Sequence, residues 1–255
     1  MPPMPDPSEI QHHFDTNGFY IAKSLIPEAM IANIFSQIED LLDEALRLHH
    51  IDPKEFAGVD EKYSCLKNHH PQIKSHVYDL IKFLSSVHAV ANFPPLLKII
   101  ENLTGSSLLL DGTQVAVNDG NNDRLISFHQ EAHKTYSKVS IAAWIPLVDL
   151  TKVENGALRF VPQSHKQGYI KHSQVNGYPA MDETCIDPSK IEHACLSRGD
   201  ALIFHRHLFH ASGANNSSQT RWTFITRYSP LQEIPYLENG QAPLRVPYPE
   251  FQEQH

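Results

Sequence analysis

At Gly105 the hydrophobic period of the chain changes, and few folds accommodate the change. Before it, apolar residues recur at three-and-four spacing, the period of a helix with one buried face. Ile31, Ile34, Phe35, Ile38, Leu41, Leu42 and Ala45 predict an amphipathic helix starting near Pro27, a residue suited to a first turn. Further helices are expected from an Asp6 cap to about His13, over Val77–Val87 and over Pro95–Leu103, with Gly105 as the stop. Phe19–Ala22 reads as a short strand, and residues 51–74 as a polar connector without periodicity. After Gly105 the chain becomes short apolar runs punctuated by turns. Strands are expected over Leu108–Val117, Leu125–Glu131, Val139–Leu147, Ala157–Val161, Ala194–Leu196, Ala201–Phe204, Leu208–Ala211 and Thr220–Tyr228. A polar insertion occupies 165–193. Helices first and many short strands after predict an antiparallel sandwich or barrel with helices on one side. No βαβ alternation, phosphate-binding glycine loop or repeat is present.

Composition narrows the function classes. A formal charge of −8 argues against nucleic acid or an anionic membrane as the main partner. Apolar content of 41% is enough for a sizeable core. Cys65, Cys185 and Cys195 are odd in number and form no C-x-x-C pair, which suggests free thiols in a reducing compartment. The Pro-rich, acidic opening MPPMPDPSEIQ does not read as a secretory signal, and no apolar run reaches 18 residues. The expectation is a cytoplasmic protein.

The chemistry centres on Ser127-Phe128-His129-Gln130-Glu131. On a strand, residues i and i+2 share a face, so His129 and Glu131 can aim a ring nitrogen and a carboxylate at one point. Two His and one carboxylate on one face of a metal form the facial triad of non-haem Fe(II) oxygenases. With 17 His in the chain, His-x-Glu alone is weak evidence. His205, His207 and His210 are candidates for the second imidazole, and His133, again two residues on from Glu131, is a rival ligand.

The combination of blocks FDTNGFYIAKSLIP, FHQEAHKTYS, AAWIPLVDLTKVENGALRFVPQSH and RGDALIFHRHLFHASGANNSSQTRWTFITRY resembles the phytanoyl-CoA dioxygenase family of Fe(II)/2-oxoglutarate oxygenases. The likeness covers most of the chain. It includes His-x-acid, Asn-Gly-x-Leu, Pro-x-Ser-His, Gly-Asp, His-x-Ser-x-x-Asn and an Arg eleven residues past the distal His (221 − 210 = 11). By that resemblance, the fold is mainly β with flanking helices on a double-stranded β-helix, a cupin-like jelly roll. The resemblance also implies His129, Glu131 and His210 as iron ligands, Arg221 on the far carboxylate of 2-oxoglutarate, Ser212 beside it, and Trp144 and Gln114 near the cosubstrate. Asn155, Gly156 and Pro162–His165 read as structural. One departure is Glu131, where the family usually has Asp.

The implied cofactors are Fe(II), 2-oxoglutarate and O2, and the implied reaction hydroxylates a small-molecule C–H bond with release of succinate and CO2. Desaturation, cyclisation and epimerisation share the same chemistry. A jelly-roll binding protein disabled by Glu131 and a cupin-like isomerase or hydrolase are the rival readings. Residues 1–255 are expected to form one dioxygenase domain: a mainly helical part over 1–105, the jelly roll over 106–230 and a tail over 231–255. Residues 51–74, 132–137 and 165–193 are expected to build the substrate pocket, with Lys134, Tyr136, Lys138 and Tyr169 as candidate contacts.

Overall fold

Six α-helices are present among the described residues of the computed structural model, which are 6–118, 125–131, 137, 139–175 and 177–233. They are α1 (Pro7–Asn17), α2 (Glu28–Leu48), α3 (Val59–His69), α4 (Pro71–Ile81), α5 (Ser85–Ala91) and α6 (Pro94–Thr104). Asp6 caps α1 by accepting from the Ser8 N–H, and Gly18 ends it at φ +81°. Gly105 ends α6 at φ +66°, the left-handed stop expected of it. On α2, Ile31, Ile34, Ile38 and Leu42 are fully buried, so truncating one to Ala costs about 2–5 kcal/mol.

Two predictions about the helical half fail. Residues 51–74 are no bare connector: they contain α3 and the start of α4. Their helical order comes from docking. The Trp222 indole N–H donates to Asp60 at 2.7 Å, and the Lys62 ammonium sits between Glu39 at 2.7 Å and Asp43 at 2.6 Å. The single helix expected over Val77–Val87 is two, α4 and α5, separated by Lys82–Leu84.

The strands are β1 (Phe19–Ala22), β2 (Leu108–Asn118), β3 (Ile141–Pro146), β4 (Leu158–Phe160), β5 (Ser173–Val175), β6 (Tyr178–Ala180), β7 (Glu192–Ala194), β8 (Ala201–His205), β9 (His210–Ala211) and β10 (Arg221–Pro230). A five-stranded sheet runs β1-β8-β3-β10-β2, and a three-stranded sheet runs β7-β4-β9. Every pairing is antiparallel. β5 and β6 form a hairpin inside the polar insertion.

The larger sheet is buried on both faces, because side chains alternate across it. Ile141, Ala143, Ile145, Ile203, Trp222 and Phe224 join the core under the helices. Ala142, Trp144, Leu202 and Phe204 face the other way and pack with Leu158, Phe160 and Ala194 of the smaller sheet. Two facing antiparallel sheets with helices on one outer face make the jelly roll. No helix among the described residues is long and apolar enough to cross a membrane. All three cysteines are free.

Candidate metal centre

His129 and His210 face each other across an isolated antiparallel bridge at the end of β9. Each backbone N–H donates to the other's carbonyl, at 2.9 and 3.1 Å. The expected strand over Leu125–Glu131 is reduced to this one bridge among its residues. Regular strand pairing is therefore not what brings Glu131 round; its N–H donates to the Arg206 carbonyl at 2.9 Å instead.

Both imidazoles are set from behind. His129 Nδ1 lies 2.9 Å from the Ser127 carbonyl, and His210 Nδ1 lies 2.9 Å from the Leu208 carbonyl. A carbonyl only accepts, so each Nδ1 donates to it, and each Nε2 is the ring nitrogen turned toward Glu131. The two Nε2 atoms converge on Glu131 Oε1, at 3.3 Å from His210 and 3.8 Å from His129. Among the described residues these three side chains form the one group of donor atoms lying mutually within 4.8 Å, and all three are buried. A divalent ion with ligand distances near 2.0–2.2 Å fits between such donors. Two imidazoles and one carboxylate suit iron.

His205 and His207 are outside this group. Burial, the largest cause, pulls their pKa values down to about 3 and about 4, so both are neutral. His205 Nδ1 accepts the His207 backbone N–H at 3.1 Å, a structural use of the ring. The rival ligand His133 and the candidate contacts Lys134, Tyr136 and Lys138 lie outside the described residues. Tyr169 stacks on His172, ring centroids 5.4 Å apart.

Arg221 lies on the interior face of β10, 7% exposed. Its Nη1 donates to the Gly156 carbonyl at 2.8 Å and the Gly213 carbonyl at 3.2 Å, and its Nε has no hydrogen-bond partner among the described residues. Burial pulls its pKa down to about 10, offset in part by the Tyr78 phenol. No ion pair is recorded for it among the described residues. A buried guanidinium held by carbonyls still has N–H groups that can take an anion.

The other expected contacts lie at two places along the interior face. Ser212 precedes Gly213 in the chain, and its backbone is fixed by Ile126 and Arg159. Trp144 and Gln114 flank Ile225 in register on either side of β10, on the same interior face. Gln114 Nε2 donates to the Tyr78 hydroxyl at 2.9 Å, so α4 closes over the open edge of β2. Gly156 does more than turn the chain: at φ +81° its missing Cβ leaves room for Arg221, whose Cδ would lie 3.2 Å from that atom. Asn215 and Asp200 are structural. Asn215 holds the Asn118 and Gln219 carbonyls, and Asp200 gathers Lys23, Ser24 and Ser197.

Sequence reading missed Arg227. Its Nε donates to Glu131 Oε2 at 2.5 Å and its Nη2 to Oε1 at 3.1 Å. The available signal was its spacing, six residues after Arg221 and on the same face of an otherwise buried strand. A charge in such a place is almost always paired.

The sequence profile described as phytanoyl-CoA dioxygenase (PhyH) matches residues 14–223. Over 233 residues the chain is 21% identical to peroxisomal phytanoyl-CoA dioxygenase of Homo sapiens, covering 84% of this chain and 65% of that protein. The chain spans 31% to 65% of the length of the first curated relatives it matches. Among solved structures it superposes on the non-heme monooxygenase ThoJ in its apo form with a TM-score of 0.64 at 21% identity, covering 87% of this chain and 77% of that one. The epimerase SnoN, solved with Fe3+, alpha ketoglutarate and nogalamycin RO, superposes with a TM-score of 0.58 at 19% identity, covering 88% and 85%.

Proposed function

The chain belongs to the phytanoyl-CoA dioxygenase (PhyH) family, and from that premise we propose that it hydroxylates a C–H bond of a small-molecule metabolite. Its class is the Fe/2-oxoglutarate-dependent oxygenase. In this reading His129, Glu131 and His210 hold Fe(II), and Arg221 grips the far carboxylate of 2-oxoglutarate. When bound, iron with 2-oxoglutarate and O2 supplies an oxidant able to take hydrogen from carbon, and succinate and CO2 are released.

The chain's own residues do the positioning. Backbone carbonyls of Ser127 and Leu208 fix the two imidazoles, so both Nε2 atoms point at one spot. Arg221, held by Gly156 and Gly213, offers its remaining N–H groups to a carboxylate in a place largely shut from water. Ser212 adds a hydroxyl to that carboxylate, and Trp144 and Gln114 wall the cosubstrate. Residues 1–255 act as one catalytic unit, a reading supported by Tyr78 of the helical part reaching Gln114 of the jelly roll. The substrate pocket draws on segments 51–74 and 165–193, while 132–136 lie outside the described residues, and the cytoplasm is the proposed compartment.

The observation that carries this reading is the convergence of three buried donor atoms on one point. The test is succinate release from 2-oxoglutarate with and without Fe(II), using the purified protein. Iron-dependent succinate supports the reading, and its absence across broad substrate sets removes it. A second reading, a jelly-roll binding protein without iron chemistry, is favoured by one observation: Arg227 engages both Glu131 oxygens. That reading expects no iron-dependent succinate.

A further inference from the structure

We propose that Arg227 is a positioning residue that holds Glu131 so that it meets the metal through Oε1 only. This rests on the reading of His129, Glu131 and His210 as the metal ligands. The two oxygens of Glu131 are not equivalent. Oε1 lies 3.3 and 3.8 Å from the two imidazole Nε2 atoms. Oε2 faces Arg227 Nε at 2.5 Å, and Nη2 reaches across to Oε1 at 3.1 Å. A metal held between the imidazoles would share Oε1 with Nη2, since a carboxylate oxygen has more than one lone pair, and the shorter Nε–Oε2 contact would keep the second oxygen turned away from it.

Glutamate needs such a holder more than aspartate does. It has one more rotatable bond, and that extra freedom must be removed before its oxygen sits at a defined place. A guanidinium fork removes it, because two parallel N–H groups fix the plane of a carboxylate. The sheet leaves room for the fork. Arg227 is flanked in register by Gly112 and Ala142, and a Cβ on Gly112 would meet nothing within 4 Å.

The pairing also separates the roles of the two interior arginines of β10. Arg227 already has its counter-charge in Glu131. Among the described residues Arg221 has only carbonyl partners for its Nη1, so the incoming anion goes to Arg221. Keeping the carboxylate to one oxygen leaves adjacent metal positions for a chelating cosubstrate and for O2, the open arrangement this triad requires.

Co(II) titration of the metal-stripped protein, followed by its visible absorption, is the test, since it reads the metal's surroundings without turnover. Arg227→Met is expected to weaken Co(II) about 10–100-fold and to change the band shape, the usual cost of losing a group that orients a ligand. Arg227→Lys keeps the charge but not the fork. It guards against a folding failure of the Met variant and is expected to fall between Met and wild type. In a Glu131→Gln background, Arg227→Met is expected to cost no further affinity. Wild-type affinity and band shape in both Arg227 variants overturn the inference while leaving the metal centre standing. A wild-type protein that takes up no Co(II), or takes it up equally well as His210→Ala, overturns the metal centre and this inference with it.

Discussion

His129 and His210 are mutual backbone partners, each donating its N–H to the other's carbonyl, while their Nε2 atoms approach the same oxygen of Glu131. Two residues 81 positions apart (210 − 129 = 81) are thereby locked in register. This backbone bridge sets the spacing of the two imidazoles.

His210→Ala is expected to abolish succinate release, and His207→Ala to leave most of it. His207 lies outside the converging donor group despite being three residues away. Comparing the two variants at saturating Fe(II) checks this, and the reverse order would move the ligand.

Arg221→Ala is expected to raise the 2-oxoglutarate requirement roughly 30-fold or more, the scale of removing one partner from a buried charge pair. Iron binding should stay close to wild type, because the Arg221 partners among the described residues are the Gly156 and Gly213 carbonyls and none of the three donor side chains. Separate titrations of metal and cosubstrate distinguish the two. Equal losses in both would contradict the assignment.

Gly156→Ala is expected to weaken 2-oxoglutarate binding and to destabilise the fold by about 1 kcal/mol or more. The residue sits at φ +81°, where alanine is strained, and the new methyl would stand 3.2 Å from Arg221 Cδ and Nη1. Denaturant midpoints and cosubstrate titration measure the two effects. A variant with wild-type values for both would mean that Arg221 does not depend on this cleft.

The metal-free protein is expected to lose stability as pH falls from 7.5 to 5. Burial depresses His205 to about 3 and His207 to about 4, below the ordinary 6.5. The fold keeps these rings neutral while the unfolded chain protonates them, so their contribution is complete above about pH 6.5 and shrinks below it. For His205 alone the loss at pH 5 is on the order of 2 kcal/mol. His205→Asn retains an acceptor for the His207 N–H and should flatten the profile. Urea denaturation across this range measures it, and an unchanged slope would contradict the account.

The architecture was legible because the period switch at Gly105 and the alternation along β3, β8 and β10 are properties of the sequence itself. β1 falls on the expected Phe19–Ala22. Residues 51–74 were not legible, since α3 is mostly polar and is ordered by partners such as Glu39, Asp43 and Trp222 that are distant in sequence. The strand expected over Leu125–Glu131 failed for the same reason. His129 makes one bridge with His210, and Arg206, not a regular ladder, receives the Glu131 N–H. At the site, the family resemblance pointed to His129, Glu131 and His210, whose donor atoms converge. Arg227 escaped because its role exists only through a carboxylate 96 residues away.

An anaerobic titration of the metal-stripped protein with Fe(II), followed by 2-oxoglutarate, addresses the central claim most directly. One equivalent of iron per chain should bind, and 2-oxoglutarate should then produce a visible charge-transfer band that Arg221→Ala needs far more cosubstrate to reach. Iron uptake that survives His210→Ala, or a band that forms equally well without Arg221, would contradict a ferrous centre served by these residues.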